Sequence, residues 1–184
     1  MKILITGNKN FGLAKSLAAI YPDATFASRE TGFDLTTKDG YRKLGIAINN
    51  YDVFVNCSAL HKFNQTLVLD YIYKRCQEIN HPIHIINIGS TTDRVKKATS
   101  WIYNAEKKAL RDFSNSLSLT GVWDGGPKVS LISFGSLSNV QEKHPDRTCL
   151  DIDRAASYIK WIIDQPHDIC INEISIDPIQ VKHE

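Results

Sequence analysis

Tyr103 and Lys107 are the two residues whose types and spacing best fit acid–base chemistry in this sequence. They stand four positions apart in a stretch with helical periodicity, so both side chains project from one helix face. An ammonium group beside a phenol favours the phenolate and lowers the tyrosine pKa from its ordinary value of about 10. Such a phenol is a usable general acid or base near neutral pH. The spacing is common by chance, so the surrounding elements must support it.

Ser90 supplies the first support, because it follows a predicted strand, Ile83–Ile88, and precedes Tyr103 by thirteen residues. Ligands of open parallel sheets lie beyond the carboxyl ends of the strands. A serine hydroxyl there could hydrogen-bond a substrate carbonyl oxygen and stabilise the negative charge that develops on it. Ser90, Tyr103 and Lys107 are therefore candidate catalytic residues.

The segment Thr6–Gly12 lies between a predicted strand, Lys2–Thr6, and a predicted helix, Phe11–Ile20. Glycines in such a turn let the backbone approach a pyrophosphate, and the helix N-terminus offers unpaired N–H groups. Lys9 adds a cation within the turn. The alternative is an ordinary glycine-containing turn, but the position at the first strand end predicts dinucleotide binding.

Arg29 follows the second predicted strand, Ala24–Ala27, after Ser28. In dinucleotide sites an acid at this strand end favours NAD, whereas an arginine accommodates the 2′-phosphate of NADP. Arg29 and Lys9 together predict NADP(H) as the cofactor, with NAD(H) second. The alternative for Arg29 is a solvated loop charge.

Short apolar runs alternate with amphipathic ones along the rest of the chain. The further predicted strands are Asp52–Asn56, Lys128–Phe134 and Ile169–Ile176; the further predicted helices are Lys38–Ile48, one centred on Leu67–Cys76, Trp101–Leu119 and Asp151–Ile163. In Trp101–Leu119, an apolar face is predicted from Ala105, Ala109, Phe113 and Leu117. Gly121–Pro127 is predicted to be a helix-to-strand turn. The alternation predicts an α/β protein with a doubly wound parallel sheet of the Rossmann type, three layers deep, in a single domain spanning residues 1–184.

Composition excludes several other classes of protein. The 184 residues carry a net charge of +2, with 42% hydrophobic and 23% charged residues, so nothing indicates nucleic acid or a membrane as a partner. Neither the scattered cysteines nor the histidines have metal-ligand spacing, so we expect no metal. Reduced thiols and the lack of a signal-peptide pattern predict a cytoplasmic protein. Trp101 and Trp161 are interpreted as packing residues. The basic cluster Arg94–Lys97 is interpreted as a solvated loop, with attraction of an anionic substrate as the alternative.

Taken together, these segments resemble the short-chain dehydrogenase/reductase family over nearly the whole chain. The matching pieces are Thr6-Gly7 to Gly12-Leu13-Ala14, Asp34-Leu35-Thr36, Asp52 to Ala59, Ile86 to Ser90, Tyr103 to Leu110, Ser133-Phe134-Gly135 and Ile171 to Pro178. Each piece is modest in specificity, but their order and mutual spacing together are strong.

The resemblance implies a role for each matching residue. Tyr103 would be the acid/base, Lys107 would lower its pKa and hold the nicotinamide ribose, and Ser90 would polarise the carbonyl. Asn64 is the nearest match to a family asparagine that holds a water, although a helix-start cap explains it equally well. The implied cofactor contacts are Gly7, Lys9, Asn10, Phe11, Gly12, Leu13, Ser28, Arg29, Asp34, Leu35, Asn56, Cys57, Ser58, Tyr103, Lys107, Phe134, Gly135 and Leu137. The family also implies a small carbonyl or alcohol substrate and a homo-oligomer, a dimer or tetramer paired through the Tyr-Lys helix and the last strand.

The sequence departs from the family at three places. The glycine turn is one residue short, Cys57 and Ser58 replace the usual residues beside the nicotinamide, and the segment Gly135–Asp151 is brief. The short segment leads us to expect that the helical lid over the substrate is largely missing. Two alternatives to a reductase therefore stay open. One is a non-catalytic or regulatory NADP(H)-binding protein; the weaker one is epimerase or dehydratase chemistry.

Overall fold

Short runs rich in isoleucine, valine and phenylalanine form the centre of the protein in a computed structural model that describes residues 1–94 and 100–179. Within these residues they make one six-stranded sheet, and every neighbouring pair is parallel. The strands are β1 (Ile3–Thr6), β2 (Thr25–Ala27), β3 (Val53–Asn56), β4 (His84–Ser90), β5 (Lys128–Phe134) and β6 (Glu173–Ile176). Their spatial order is β2-β1-β3-β4-β5-β6. The chain therefore reverses direction across the sheet between β1 and β3, which opens a crevice at the carboxyl ends.

Helices cover both faces of this sheet. They are α1 (Gly12–Ile20), α2 (Lys38–Ala47), α3 (Asn64–Glu78), α4 (Ile102–Asp124) and α5 (Ile152–Ile163). Successive strand residues serve opposite faces: Ile3 and Ile5 pack with α1 and α5, while Leu4 packs with α2, α3 and α4. All three side chains are buried, and each contributes about 1.5–3 kcal/mol to folding. The predicted fold class, a three-layer doubly wound parallel sheet, is confirmed.

The α4 helix is longer than predicted, and its buried face matches the predicted one only in part: Leu117 is buried as predicted. The helix continues to Asp124 and ends at Gly125, whose φ of 72° is left-handed, so Gly121 lies inside the helix. Its buried residues include Lys107, Leu110, Ser114 and Ser118, whereas Ala105 is exposed. Serine can be buried here because each hydroxyl donates a hydrogen bond, Ser114 to the Leu110 carbonyl and Ser118 to the Asn172 side chain. Hydrophobic periodicity does not register such polar positions.

The last strand is shorter than the predicted Ile169–Ile176. Only Glu173–Ile176 pairs with β5, opposite Leu131–Phe134. Among the described residues, no helix is both long and apolar enough to cross a membrane.

Candidate active site

A cleft of about 1390 Å³ runs along the carboxyl edge of the sheet. Its walls are the turn after β1, the segment after β2, and the loops after β3, β4 and β5. Most of the predicted site residues line it: Gly7, Phe11, Gly12, Leu13, Ser28, Arg29, Asp34, Leu35, Cys57, Ser58, Asn64, Ser90, Tyr103, Lys107, Phe134, Gly135 and Leu137. The topology thus brings together side chains that are far apart in the sequence.

The turn after β1 is built to let a ligand approach the backbone. Gly7 has a φ of 137°, which side-chain-bearing residues rarely adopt, and a Cβ there would lie 3.0 Å from the Cβ of Ala14. The first turn of α1 holds no acidic residue, and its N-cap residue, Phe11, makes no side-chain cap. Free N–H groups at a helix N-terminus bind phosphate well. These features fit a dinucleotide pyrophosphate.

Three predicted cofactor contacts do not line the cleft. Lys9 and Asn10 are exposed on the outer side of the turn, so Lys9 is not placed as the second cation facing a phosphate. Asn56 is fully buried beneath the cleft, where its amide donates to the Gln65 carbonyl at 3.0 Å and to Asn87 Oδ1 at 2.9 Å. Thr6, at the end of β1, is bound to the loop after β3, because its hydroxyl accepts hydrogen bonds from the Cys57 and Ser58 N–H groups.

The segment after β2 carries acids as well as Arg29. Glu30 also lines the cleft, and its carboxylate accepts a hydrogen bond of 2.7 Å from the side-chain amide of Asn8. Hydrogen bonds from the Thr36 hydroxyl and N–H lower the pKa of Asp34, and the charge of Arg29 lowers it further. Sequence reasoning passed over Glu30 because it lies beyond the strand end.

Ser90, Tyr103 and Lys107 meet at the other end of the cleft. Ser90 ends β4, Tyr103 lies in the first turn of α4, and Lys107 lies one turn further on. The Ser90 hydroxyl interacts with the Tyr103 phenol so as to lower its pKa, and Lys107 Nζ lies 5.6 Å from the centroid of the Tyr103 ring. Trp101 is 61% exposed and lies against Tyr103, with ring centroids 4.8 Å apart. Trp101 is thus part of the cleft wall rather than of the core, in contrast to the prediction.

The electrostatics differ from the simple Tyr-Lys expectation. Burial raises the pKa of Tyr103, the hydrogen bond with Ser90 opposes this rise, and the charge of Glu106 adds to it. Burial lowers the pKa of Lys107 to about 8. The expected lowering of the Tyr103 pKa by Lys107 is not observed, because the ammonium group is turned towards other partners.

Those partners include Gln65, which sequence reasoning missed. Lys107 Nζ donates to Gln65 Oε1 at 2.7 Å and to the Ile88 carbonyl at 3.0 Å. The Gln65 amide group donates to the carbonyls of Asn56, at 2.8 Å, and Ile88, at 3.1 Å. Gln65 is buried, so every polar group of its side chain has a protein partner. A glutamine at a helix start gives no sequence signal for this role.

Asn64 is engaged elsewhere. Its Oδ1 accepts a hydrogen bond from the Tyr41 hydroxyl and its Nδ2 donates to the His61 carbonyl, both at 2.7 Å. Phe63, rather than Asn64, is the N-cap residue of α3, so the cap interpretation is not observed. Asn64 lines the cleft, but its side chain holds the loop before α3.

Glu106 is a second functional candidate that the sequence did not indicate. Its buried carboxylate accepts hydrogen bonds from the backbone N–H groups of Lys62 and Phe63. These two residues have φ values of 59° and 60°, a left-handed conformation that costs free energy in residues other than glycine. Glu106 lies on α4, between Tyr103 and Lys107 in the sequence, and therefore connects this helix to the strained segment before α3.

The segment expected to lack a lid is short but folded. Leu137 bridges Leu150, and two backbone hydrogen bonds of 2.8 Å, Ser138 N–H to Leu150 and Leu150 N–H to Ser136, close its base. Ser138–Lys143 forms a 3₁₀ helix between these ends. We call residues 136–150 the 136–150 loop. Several residues of this loop line the cleft, and its helical part is the 3₁₀ helix; that the family's larger helical lid is missing stays a prediction.

Part of the basic cluster after β4 lies outside the described residues, namely Lys96 and Lys97. Arg94 is described, and its guanidinium lies 3.8 Å from the buried carboxylate of Asp93. Its side chain is 40% exposed and lies in a loop, in keeping with the predicted solvated position.

No protein-family model matches the sequence, and no curated protein matches it. Solved structures do match. A closed serine dehydrogenase complexed with NADP+ superimposes with a TM-score of 0.79 at 19% identity, covering 100% of this chain and 97% of that one. Serine dehydrogenase from Escherichia coli gives 0.74 at 20% identity, covering 100% of both chains. A 4-hydroxyisoleucine dehydrogenase mutant complexed with NADH and succinate gives 0.76 at 15% identity, covering 96% and 97%.

The chain therefore has the fold of these dehydrogenases over its whole length. The parallel strands and the crevice at their carboxyl ends are the features of a Rossmann-type fold. At the level of the fold, the resemblance to the short-chain dehydrogenases/reductases is confirmed.

Proposed function

We propose that the protein is an oxidoreductase of the short-chain dehydrogenase/reductase type, acting on a small carbonyl or alcohol substrate. The observation that carries this proposal is that Ser90, Tyr103 and Lys107 line one cleft, with Lys107 Nζ 5.6 Å from the centroid of the Tyr103 ring. A nicotinamide cofactor in the cleft would supply or take up the hydride. Gly7, Gly12 and Leu13 would hold its pyrophosphate, and Lys107 its nicotinamide ribose.

Tyr103 serves as the proton donor in the reductive direction. Its raised pKa keeps the phenol protonated at neutral pH, as a general acid requires. The phenolic proton passes to the substrate's carbonyl oxygen, and Ser90 donates a hydrogen bond to the same oxygen as negative charge develops there. In the oxidative direction the phenolate would take the proton from the alcohol.

Lys107 would act by holding the nicotinamide ribose beside Tyr103, since its charge is not among the causes that shift the Tyr103 pKa. Its buried ammonium group lies 5.6 Å from the centroid of the Tyr103 ring. Gln65 and the Ile88 carbonyl keep the group at this position by accepting its hydrogen bonds. The two acceptors favour the charged form and offset part of the cost of burying it.

NADP(H) is the proposed cofactor, and Arg29 supports this choice. Arg29 lines the cleft at the end of β2, where a 2′-phosphate would lie. Glu30 beside it is a feature that favours the ribose hydroxyls of NAD(H). Because Asn8 binds the Glu30 carboxylate, the arginine is the freer of the two groups to meet the cofactor.

A matched pair of tyrosine variants tests the proposal. We expect the protein to oxidise NADPH in the presence of at least one member of a panel of small aldehydes and ketones. Tyr103→Phe should lower kcat by at least about 100-fold, the usual loss when a general acid is removed. The affinity for NADPH, followed by its fluorescence, should stay within about twofold, since the pyrophosphate contacts are intact. The control is Tyr158→Phe in α5, away from the cleft.

The same assay separates the alternatives. NADPH binding without turnover on any compound would favour the non-catalytic NADP(H)-binding protein. Undiminished turnover in Tyr103→Phe would show that another group moves the proton. The folded 136–150 loop lines the cleft, which supports the catalytic proposal over the non-catalytic alternative.

A further inference from the structure

Charge is distributed unevenly along the cleft. Among the described residues, its acidic wall residues are Glu30 and Asp34, and both belong to the segment after β2. The loops after β3 and β5 contribute basic wall residues instead: His61 and Lys62 after β3, and His144 and Arg147 in the 136–150 loop. Since β3 and β5 flank β4, the two loops that follow them lie on either side of Ser90.

In the 136–150 loop too, the residues that line the cleft include basic ones and no acidic ones. The loop also contains two acids, Glu142 and Asp146, and neither lines the cleft, whereas His144 and Arg147 do. The side-chain amide of Gln141 fixes this arrangement by donating hydrogen bonds to the carbonyls of His144, Pro145 and Arg147, at 3.2, 3.2 and 2.8 Å. Hydrogen bonds within the loop therefore hold the turn that carries His144 and Arg147.

Two of these basic residues, Lys62 and Arg147, have no internal countercharge in the described part of the chain, whereas His61 Nδ1 lies 3.8 Å from the Glu106 carboxylate. Within residues 1–94 and 100–179, no carboxylate forms an ion pair with Lys62 or Arg147. By contrast, Arg111 outside the cleft is paired with Glu173 at 2.8 Å. Cations that line a cleft without partners concentrate anions there. A guanidinium group also matches the planar oxygens of a carboxylate or phosphate with two parallel hydrogen bonds.

We propose that the substrate carries an anionic group, a carboxylate or a phosphate, which Arg147 binds together with Lys62 and His144. This inference rests on the proposed function, and it narrows the substrate to a small hydroxy or oxo compound with an acid group. Trp101, Leu137 and Val140 also line the cleft and would contact the carbon skeleton.

Kinetics with paired substrates test the inference. We expect kcat/KM for 4-oxopentanoate to exceed that for the uncharged 2-pentanone by at least about tenfold, as a charged hydrogen bond contributes about 1.5–3 kcal/mol. Arg147→Gln should remove most of this preference while changing the rate with 2-pentanone little. Lys62→Met, on the opposite loop, should reduce the preference independently, which guards against a folding defect of one variant. Arg154→Gln in α5, outside the cleft, is the control that should keep the preference.

Binding measured by calorimetry separates this inference from the proposed function. With the NADPH-saturated protein, 2-methylpropanoate should bind at least about tenfold more tightly than the uncharged 2-methylpropanamide, and Arg147→Gln should weaken only the anion. This result would support the anion site even if no compound is turned over. Tighter binding of methyl phosphate than of 2-methylpropanoate would also support it and assign the substrate as a phosphate ester. Equal binding of charged and uncharged probes, or equal weakening of both by Arg147→Gln, would overturn it.

Discussion

Lys107 is a cation held away from water between the sheet and α4. Burial lowers its pKa, and the charges of Cys57, Glu106 and Asp93 oppose part of this decrease, which leaves the pKa at about 8. The side chain is 5% exposed, and its hydrogen-bond acceptors Gln65 and Ile88 belong to other elements of the fold. A group with such a shift links the stability of the protein to pH.

Removal of Lys107 should therefore change how stability depends on pH. The pKa of an unfolded lysine is 10.5, and that of folded Lys107 is about 8. Between these values the unfolded chain binds a proton that the folded chain has lost, so the unfolding free energy rises with pH. Urea unfolding at about pH 7 and about pH 9.5 measures the unfolding free energies of the wild type and of Lys107→Met. From the lower to the higher pH, the wild type should gain stability relative to the variant.

Lys108→Met is the matched control, because Lys108 is an exposed neighbour on the same helix. It should keep the pH dependence of the wild type. If the curves of Lys107→Met and the wild type run parallel, the folded pKa of Lys107 is close to the unfolded value and the argument fails.

Arg29 favours the 2′-phosphate of NADP(H), whereas Glu30 favours the ribose hydroxyls of NAD(H). Substitution of each residue therefore tests the cofactor preference. Arg29→Ala should weaken NADPH binding by at least about tenfold and leave NADH nearly unchanged, since a charged hydrogen bond to the 2′-phosphate is lost. Glu30→Gln should leave NADPH unchanged or strengthen it. Dissociation constants from cofactor fluorescence measure both. Equal losses for NADPH and NADH in Arg29→Ala would rule out the assignment of the 2′-phosphate.

At the scale of elements, the loop after β5 depends on the start of α5. Asp151 is the N-cap of α5, and its carboxylate accepts a hydrogen bond of 2.8 Å from the Arg154 N–H. Directly before it, Leu150 closes the base of the 136–150 loop. The cap therefore fixes the point where the loop ends and the helix begins.

Asp151→Ala should lower the unfolding free energy by about 1 kcal/mol, the usual cost of losing a helix cap. Asp151→Ser should recover most of this, because a serine hydroxyl also accepts the N–H bond. Urea unfolding at one pH measures both variants. A loss of equal size in Asp151→Ser would show that the charge, rather than the cap, is responsible.

At the scale of the whole molecule, the C-terminal part of α4 leaves apolar surface uncovered. Leu119, Val122 and Trp123 are exposed, and Trp123 is 81% exposed. The family resemblance implies pairing through this helix, and exposed apolar surface of this kind marks contact sites between proteins. We therefore propose that copies of the chain associate through α4.

Light scattering after gel filtration should give a mass of two or four chains for the wild type. Trp123→Lys should shift the protein towards the monomer, because a buried lysine without a partner disfavours the interface. Trp161→Lys, on the exposed side of α5, is the control and should leave the mass unchanged. A monomeric wild type would exclude this association.

Local pattern was enough to predict the order of strands and helices and the position of Ser90, Tyr103 and Lys107. Alternation of buried strands with amphipathic helices dictates a parallel sheet, and a parallel sheet places every strand end at one edge. The location of Ser90 can be inferred from the end of β4, and the shared face of Tyr103 and Lys107 from the helical repeat. Each of these inferences needs only residues within a few positions of one another.

Only the tertiary structure decided which groups surround this pair. Gln65 reaches Lys107 across 42 positions, and Glu106 reaches Lys62 across 44. The exposure of Lys9 and the inward position of Arg147 likewise depend on how the loops pack at the sheet edge. Hydrogen bonds and ion positions between distant segments leave no periodic trace in the sequence, because they arise only when the strands are brought side by side.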